Sequence, residues 1–175
     1  MTREAERRSS PSAAAFEVRE ARRDEYEEVG RLTVDAYRLA GETEDEYFPE
    51  LLDVEERARH VPILVAVEQG TGHLLGTATY VPGPGPFHEG DFGDVASMRM
   101  LAVAPTAQGR GVGRALVLAC IALARASGRA ALALYTRPFM VAAHRLYESL
   151  GFARIRESDL EFEPGEWLWA YRLDL

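Results

Sequence analysis

The sequence predicts a single α/β domain of the α+β kind, a mixed sheet covered by helices, and three observations carry that reading. Short apolar, β-branched runs alternate along the chain with stretches of helical periodicity. Two of those runs, Ile63–Val67 and Leu74–Val81, flank Gln69-Gly70-Thr71-Gly72 and read as an antiparallel hairpin. A third run, Val95–Val103, leads through a glycine-rich segment into a strongly amphipathic helix. At 175 residues with 47% hydrophobic content, the chain can bury one sizeable core without a disulfide or structural metal.

Residues 1–14 are polar and charged, with no sustained apolar period, so they read as a flexible tail before a single domain over 15–175. Structure is expected to begin near Phe16. From Asp24 to Leu39, the positions Tyr26, Val29, Leu32, Val34, Ala36, Tyr37 and Leu39 give a helical stripe that Gly41 should stop. A second helix is expected over Phe48–Arg59. Pro82, Gly83, Pro84, Gly85 and Pro86 open a loop reaching Gly93, because they defeat both helix and ladder. Gly111–Ala126 carries Val112, Ala115, Leu116, Ala119 and Leu123 on one face and ends at Ser127-Gly128. Ala130–Tyr135 is a strand candidate. The next helix, with Pro138 in its first turn, presents Phe139, Ala143, Leu146 and Leu150 and stops at Gly151. Phe152–Ile155 and Trp167–Leu173 close the fold as strands around a turn at Pro164-Gly165. The result is about six to seven strands and about four helices, without internal repeats.

Composition removes several functions. A net charge of -8 argues against nucleic acid and anionic membranes and favours small or cationic partners. All 20 basic residues are arginine, which excludes Schiff-base chemistry and a phosphate-binding lysine. Cys120 is the single cysteine, so no intrachain disulfide forms, and no zinc-ligand spacing occurs. Met1–Ala15 carries charge where a signal peptide needs an apolar core, and no run reaches the roughly 20 apolar residues of a membrane span. A cytoplasmic location is expected.

The chemistry is expected at Leu101-Ala102-Val103-Ala104-Pro105, which leaves a strand, and at Gln108-Gly109-Arg110-Gly111-Val112-Gly113-Arg114-Ala115, which enters the helix. First-turn amides have no intrahelical acceptors and, with the helix dipole, form an anion site suited to a diphosphate. Glycines 109, 111 and 113 clear side chains from those amides, while Arg110 and Arg114 can add charge at the rim. A flexible loop before a helix is the plain alternative. A dinucleotide fingerprint fails, since Leu116 stands where the third glycine belongs, and a P-loop lacks its lysine.

Gln108, Gly111 and Gly113 instead match Q/R-x-x-G-x-G/A, and the chain resembles the GNAT superfamily of N-acetyltransferases from about Phe16 to Leu175. Leu146-Tyr147-Glu148-Ser149-Leu150-Gly151-Phe152 looks like that family's second signature. The resemblance implies a mostly antiparallel GNAT-like sheet, acetyl-CoA as acyl donor, no metal, and an amine acceptor from a small molecule or peptide. It also implies that the strand over Leu101, Ala102 and Val103 splays from its neighbour to offer backbone groups to pantetheine and an N–H to the thioester oxygen. The amides of Gly109–Arg114 would take the diphosphate. Tyr147 matches a tyrosine that protonates the departing thiolate, against the plainer reading of a core aromatic.

Met140 departs from the family pattern, standing where many relatives carry asparagine on the face shared with Tyr147. For the base that must deprotonate an ammonium, His88, Glu89, Asp91 and Asp94 are candidates, and Glu42, Glu44, Asp45 and Glu46 could draw a cationic acceptor. Both acidic runs also read as solvated faces. Cys120 reads as a buried thiol, His144 as a partly exposed helix position, and Trp167 and Trp169 as packing residues or cleft lining. An acyltransferase using a ternary complex leads; a non-catalytic acyl-CoA sensor is the alternative, and a homodimer is open.

Overall fold

A computed structural model describes residues 15–43, 45–90 and 92–175; the predicted tail, Glu44 and Asp91 lie outside the described residues. Strand β1 (Phe16–Glu20) is followed by a 3-10 turn and helix α1 (Tyr26–Ala40). Gly41, at φ 108°, ends α1 as predicted, and the amide of Glu42 donates to Tyr37 O at 2.9 Å. That Schellman-type turn reverses the chain and sends the Glu42 side chain inward, where the residue is only 4% exposed.

The expected single helix over Phe48–Arg59 is two, α2 (Phe48–Leu52) and α3 (Val54–Ala58), broken at Asp53. Asp53 leaves helical geometry (ψ 63°) and its carboxylate accepts from the Glu56 amide, so a capping preference defeats continuous periodicity. Buried Arg57 donates to Glu50 O at 3.0 Å and ties the two short helices together.

Strands β2 (Ile63–Glu68), β3 (Leu74–Val81) and β4 (Ala96–Val103) form an antiparallel meander. Helix α4 (Val112–Ala126) then crosses to β5 (Ala131–Thr136), which pairs β4 in parallel. Helix α5 (Val141–Ser149) begins three residues after Pro138, which lies with Phe139 in a turn where the Met140 amide donates to Arg137 O. The closing region holds three strands, β6 (Ala153–Arg154), β7 (Leu160–Glu163) and β8 (Glu166–Asp174). The Pro164-Gly165 turn therefore joins β7 to β8 rather than β6 to β8, a correction to the sequence reading. Asp159, held by Arg154 and the Ala170 amide, separates β6 from β7. The sheet runs β1-β2-β3-β4-β5-β8-β6 with β7 added to β8; among the described residues there are eight strands and five α-helices where about six to seven and about four were expected.

The strand period of two sorts the core into layers. Leu64 and Ala66 of β2 and Leu132 and Leu134 of β5 join the cluster under α4, whereas Ile63, Val65 and Val67 pack beneath α1. Gly76 permits the close seating of α4, because a Cβ there would stand 2.8 Å from both Ala102 O and Val112 Cγ1.

Candidate active site

The site begins with a defect in β4. Thr77 and Thr79 of β3 face Ala102 and Arg99, so β4 carries one extra residue between those pairs. This bulge places Met100 at φ 52°, the one non-glycine residue with positive φ among the described residues. A side chain in that region costs about 1–2 kcal/mol, and bulges re-aim strands beside active sites. The β4–β5 ladder ends at Met98↔Leu134, yet β5 continues against β8 through Tyr135↔Ala170 and Thr136↔Trp169. The sheet therefore opens between the two strands after Met98. Arg99–Val103 presents a backbone edge to which β5 does not pair, and Leu101 and Val103 are half-buried while Ala102 is buried.

The predicted loop lies at the end of that edge. Gly109 and Gly111 have φ of 75° and 81°, and a Cβ on either would meet nothing within 4 Å. Both face open space, as a ligand-receiving turn requires. Gly113 differs: its Cβ would lie 3.4 Å from Val103 and 3.3 Å from Leu146, so this glycine allows β4, α4 and α5 to meet. Among the described residues, the amides of Val112, Gly113 and Arg114 have no backbone acceptor, whereas Ala115 donates to Gly111 O at 3.0 Å. Gln108 and Arg114 are exposed, Ala115 is half-buried, and the Val112 side chain is core.

The arginines are less available than the sequence suggested. Arg110 pairs with Glu68 at 2.9 Å and its amide donates to Ala107 O, so it anchors the loop to β2. Hydrogen bonds from Thr71 and Arg110 hold the Glu68 carboxyl below its usual range. Arg114 reaches Ser149 Oγ at 3.3 Å, a weak contact that leaves it at the rim.

On the other side of the opening lies a cavity of about 270 Å³, bounded by Met100 of β4, Tyr135 and Thr136 of β5, and residues of α1, the α1–α2 segment and the β7–β8 hairpin. Glu89, from the loop before β4, meets the Arg99 guanidinium at 2.5 Å; Glu50 of α2 meets it at 2.9 Å. Burial pushes the Glu89 carboxyl up, Arg99 opposes that rise, and Glu50 adds to it. Glu89 is thus a carboxylate poised to take a proton more readily than a solvated one. Glu42 lines the same cavity, 3.2 Å from Arg137, and Met140 forms part of its wall.

These placements correct the plainer readings of the acidic runs. Glu42 and Glu89 line the cavity, Asp45 and Glu46 are exposed, and Asp94 pairs with Arg129 away from the cavity lining. His144 is buried, not partly exposed: its Nε2–H donates to Arg137 O at 3.0 Å and its ring stacks on Trp169. Desolvation lowers its pKa. Trp169 packs, whereas Trp167 is exposed. Cys120 is fully buried, and burial pushes its thiol up to about 12.

Tyr147 of α5 is 5% exposed and packs on Phe152 and Tyr171. Burial raises its pKa far above the ordinary phenol value, and the neighbouring Tyr37 phenol, whose side chain lines the cavity, opposes its ionisation further. Burial thus favours the protonated phenol, and Tyr147 lies in the core behind the cavity rather than in its lining. The residues that sequence reasoning passed over are Tyr37, Tyr47, Glu50, Arg99, Arg137 and Phe162. Tyr37 was visible only as part of the α1 stripe, and Arg99 only as a polar residue in an apolar strand.

An opened sheet, a glycine turn at a helix N-terminus and a cavity beyond the opening define the class of acyltransferases that use a coenzyme A thioester. The chain belongs to the acetyltransferase (GNAT) family, whose model matches residues 17–152. Among solved structures, a GCN5-related N-acetyltransferase from Kribbella flavida is 28% identical, with a TM-score of 0.67 over 92% of this chain and 98% of that one. The fold also matches yncA of Salmonella typhimurium, solved with its cofactor acetyl-CoA, at 24% identity and a TM-score of 0.67 over 92% and 94% of the two chains. A mycothiol acetyltransferase of Thermobispora bispora is 44% identical over 66 residues, 38% of this chain and 22% of that protein. Another from Renibacterium salmoninarum is 42% identical over 60 residues, 34% and 18% of the two lengths. The matched stretch thus spans about a fifth of those curated relatives. Acetyl-CoA is the family's acyl donor, and no helix among the described residues is long and apolar enough to cross a membrane.

Proposed function

We propose that this chain transfers an acetyl group from acetyl-CoA to a primary amine by direct attack in a ternary complex. The observation that carries the reading is the continuity of three features: open glycine turn, unpaired β4 edge, and a cavity starting where β4 and β5 part. The residues fit the coenzyme. The free amides of Val112, Gly113 and Arg114 would hold its diphosphate, with Gln108, Gly109 and Gly111 shaping the turn and Arg114 at the rim. Leu101, Ala102 and Val103 would contribute through their backbone. When bound, the coenzyme supplies an activated acyl thioester and leaves as a thiol.

The chain's own residues handle the protons. Glu89 accepts one from the incoming ammonium so that the nitrogen lone pair is free; its raised pKa suits it to that role. Tyr147 Oη gives its proton to the leaving sulfur, the second proton of the acylated nitrogen returns to the phenolate, and the proton taken by Glu89 passes to solvent. The burial that keeps the phenol protonated also raises the proton affinity of a thiolate beside it, so the transfer stays feasible. Cys120, buried and protonated, is unsuited to carry the acyl group, which favours direct transfer.

The test is release of free thiol from acetyl-CoA across a panel of amines. Turnover on any amine supports transfer; saturable acetyl-CoA binding with no turnover would make the chain a sensor instead. Tyr147→Phe should lower kcat about 10–100-fold with less than about threefold change in the acetyl-CoA KM. Unchanged turnover at all pH values would remove Tyr147 from the chemistry.

A further inference from the structure

We infer that the acceptor is a small primary amine on an apolar, aromatic-sized body that carries no carboxylate and no second ammonium, seated under the β7–β8 hairpin with its nitrogen toward Glu89. The inference rests on the acetyl-transfer reading above and deepens it. Volume sets the first limit. At about 270 Å³ the cavity lies at or below the small end of ligand pockets, too small for a bulky multi-ring body.

The walls set the second. Met100, Met140, Leu160, Phe162 and Leu168 converge on the cavity from β4, the turn before α5, and the hairpin. An acceptor that leaves these surfaces wet loses the burial they offer, on the order of 25 cal/mol per Å² of apolar surface.

Charge sets the third. Arg99 is held between Glu50 and Glu89, and Arg137 between Glu42 and Glu166 at 3.2 and 3.5 Å. Four carboxylates thus surround two guanidiniums. The Arg99 and Arg137 side chains are each 8% exposed, so a substrate carboxylate would have to displace an ion pair that is already built. Of the four, Glu42, Glu50 and Glu89 line the cavity with Arg99 and Arg137 while Glu166 does not, so the lining carries one negative charge in excess and draws one ammonium. A second finds no reward at the far wall, because the Arg137 guanidinium there lies 4.6 Å from the Phe162 ring centroid and 5.6 Å from that of Phe139. That end of the cavity is aromatic and already holds its own cation.

The experiment follows thiol release from acetyl-CoA by the full chain with 2-phenylethylamine, L-phenylalanine, 1,4-diaminobutane, a tripeptide and ethylamine. The expected kcat/KM for 2-phenylethylamine exceeds those of phenylalanine, diaminobutane and the tripeptide by about tenfold or more. Equal or better use of any of those three overturns the inference while leaving acetyl transfer intact. Phe162→Ala should reduce the preference for 2-phenylethylamine over ethylamine about tenfold, and an unchanged ratio counts against the proposed seat. If calorimetry shows acetyl-CoA binding but no amine releases thiol, the transfer reading falls and this inference with it.

Discussion

Arg99→Met tests the charge arrangement on which the proton chemistry depends. The substitution keeps an unbranched side chain of similar length but removes the guanidinium that contacts Glu89 at 2.5 Å and Glu50 at 2.9 Å. Glu50 is 44% exposed and can turn to water, so the cost falls on Glu89, whose side chain is 31% exposed. Breaking a buried pair from one side costs about 3–5 kcal/mol, and Glu89's partial exposure points to the lower end, about 3 kcal/mol. For a chain of this size that corresponds to a fall in Tm of about 6–12 °C. Adding Glu89→Gln removes the stranded charge, so the double variant should recover much of that loss. Melting curves of the wild type, both single variants and the double variant form the cycle. The single Arg99→Met protein should also show its acid limb of kcat/KM moved to higher pH, because the cation that restrains the Glu89 carboxyl is gone. A double variant destabilised by the sum of the single effects, together with an unmoved acid limb in the single Arg99→Met protein, would refute the pairing.

Three further outcomes follow from the geometry. Gly111→Val should fold with a penalty of about 1–2 kcal/mol for a side chain at φ 81°, and its Cβ should weaken acetyl-CoA binding in calorimetry at least about tenfold; retained affinity would count against the turn as the diphosphate site. The Cys120 thiol, pushed up to about 12 and fully buried, should resist a thiol reagent in the folded protein and react only on unfolding, while rapid labelling under native conditions would contradict its placement. His144 has a folded pKa below its unfolded value, so its contribution is fully present above about pH 6.5 and is lost as pH falls through the folded value. His144→Gln should flatten the decline of Tm over that window, and an identical slope in variant and wild type would remove His144 as a source of it.

The parts of this protein that local chemistry specifies were legible without coordinates. Glycines 109 and 111 sit at positive φ where few other residues are at ease, and the period of α4 is written in its own apolar positions. The hairpin of β2 and β3, the stop at Gly41 and the buried thiol of Cys120 belong to the same group. β7 was within reach, since Leu160-Glu161-Phe162-Glu163 alternates, but four residues give a weak period against the stronger turn signal at Pro164-Gly165.

Tertiary structure alone decided the rest. The bulge at Met100 is a mismatch between two strands, and neither strand contains it by itself. Glu50, Glu89 and Arg99 come from a helix, a loop and a strand up to 49 positions apart, while Glu42 and Arg137 are 95 apart. Backbone preference and side-chain period act over a few residues, so the sequence determined the turn and the helix that follows it. Which carboxylates lose water and which cation steadies them depends on sheet closure, and that is why an apparently solvated acidic run contains the candidate base.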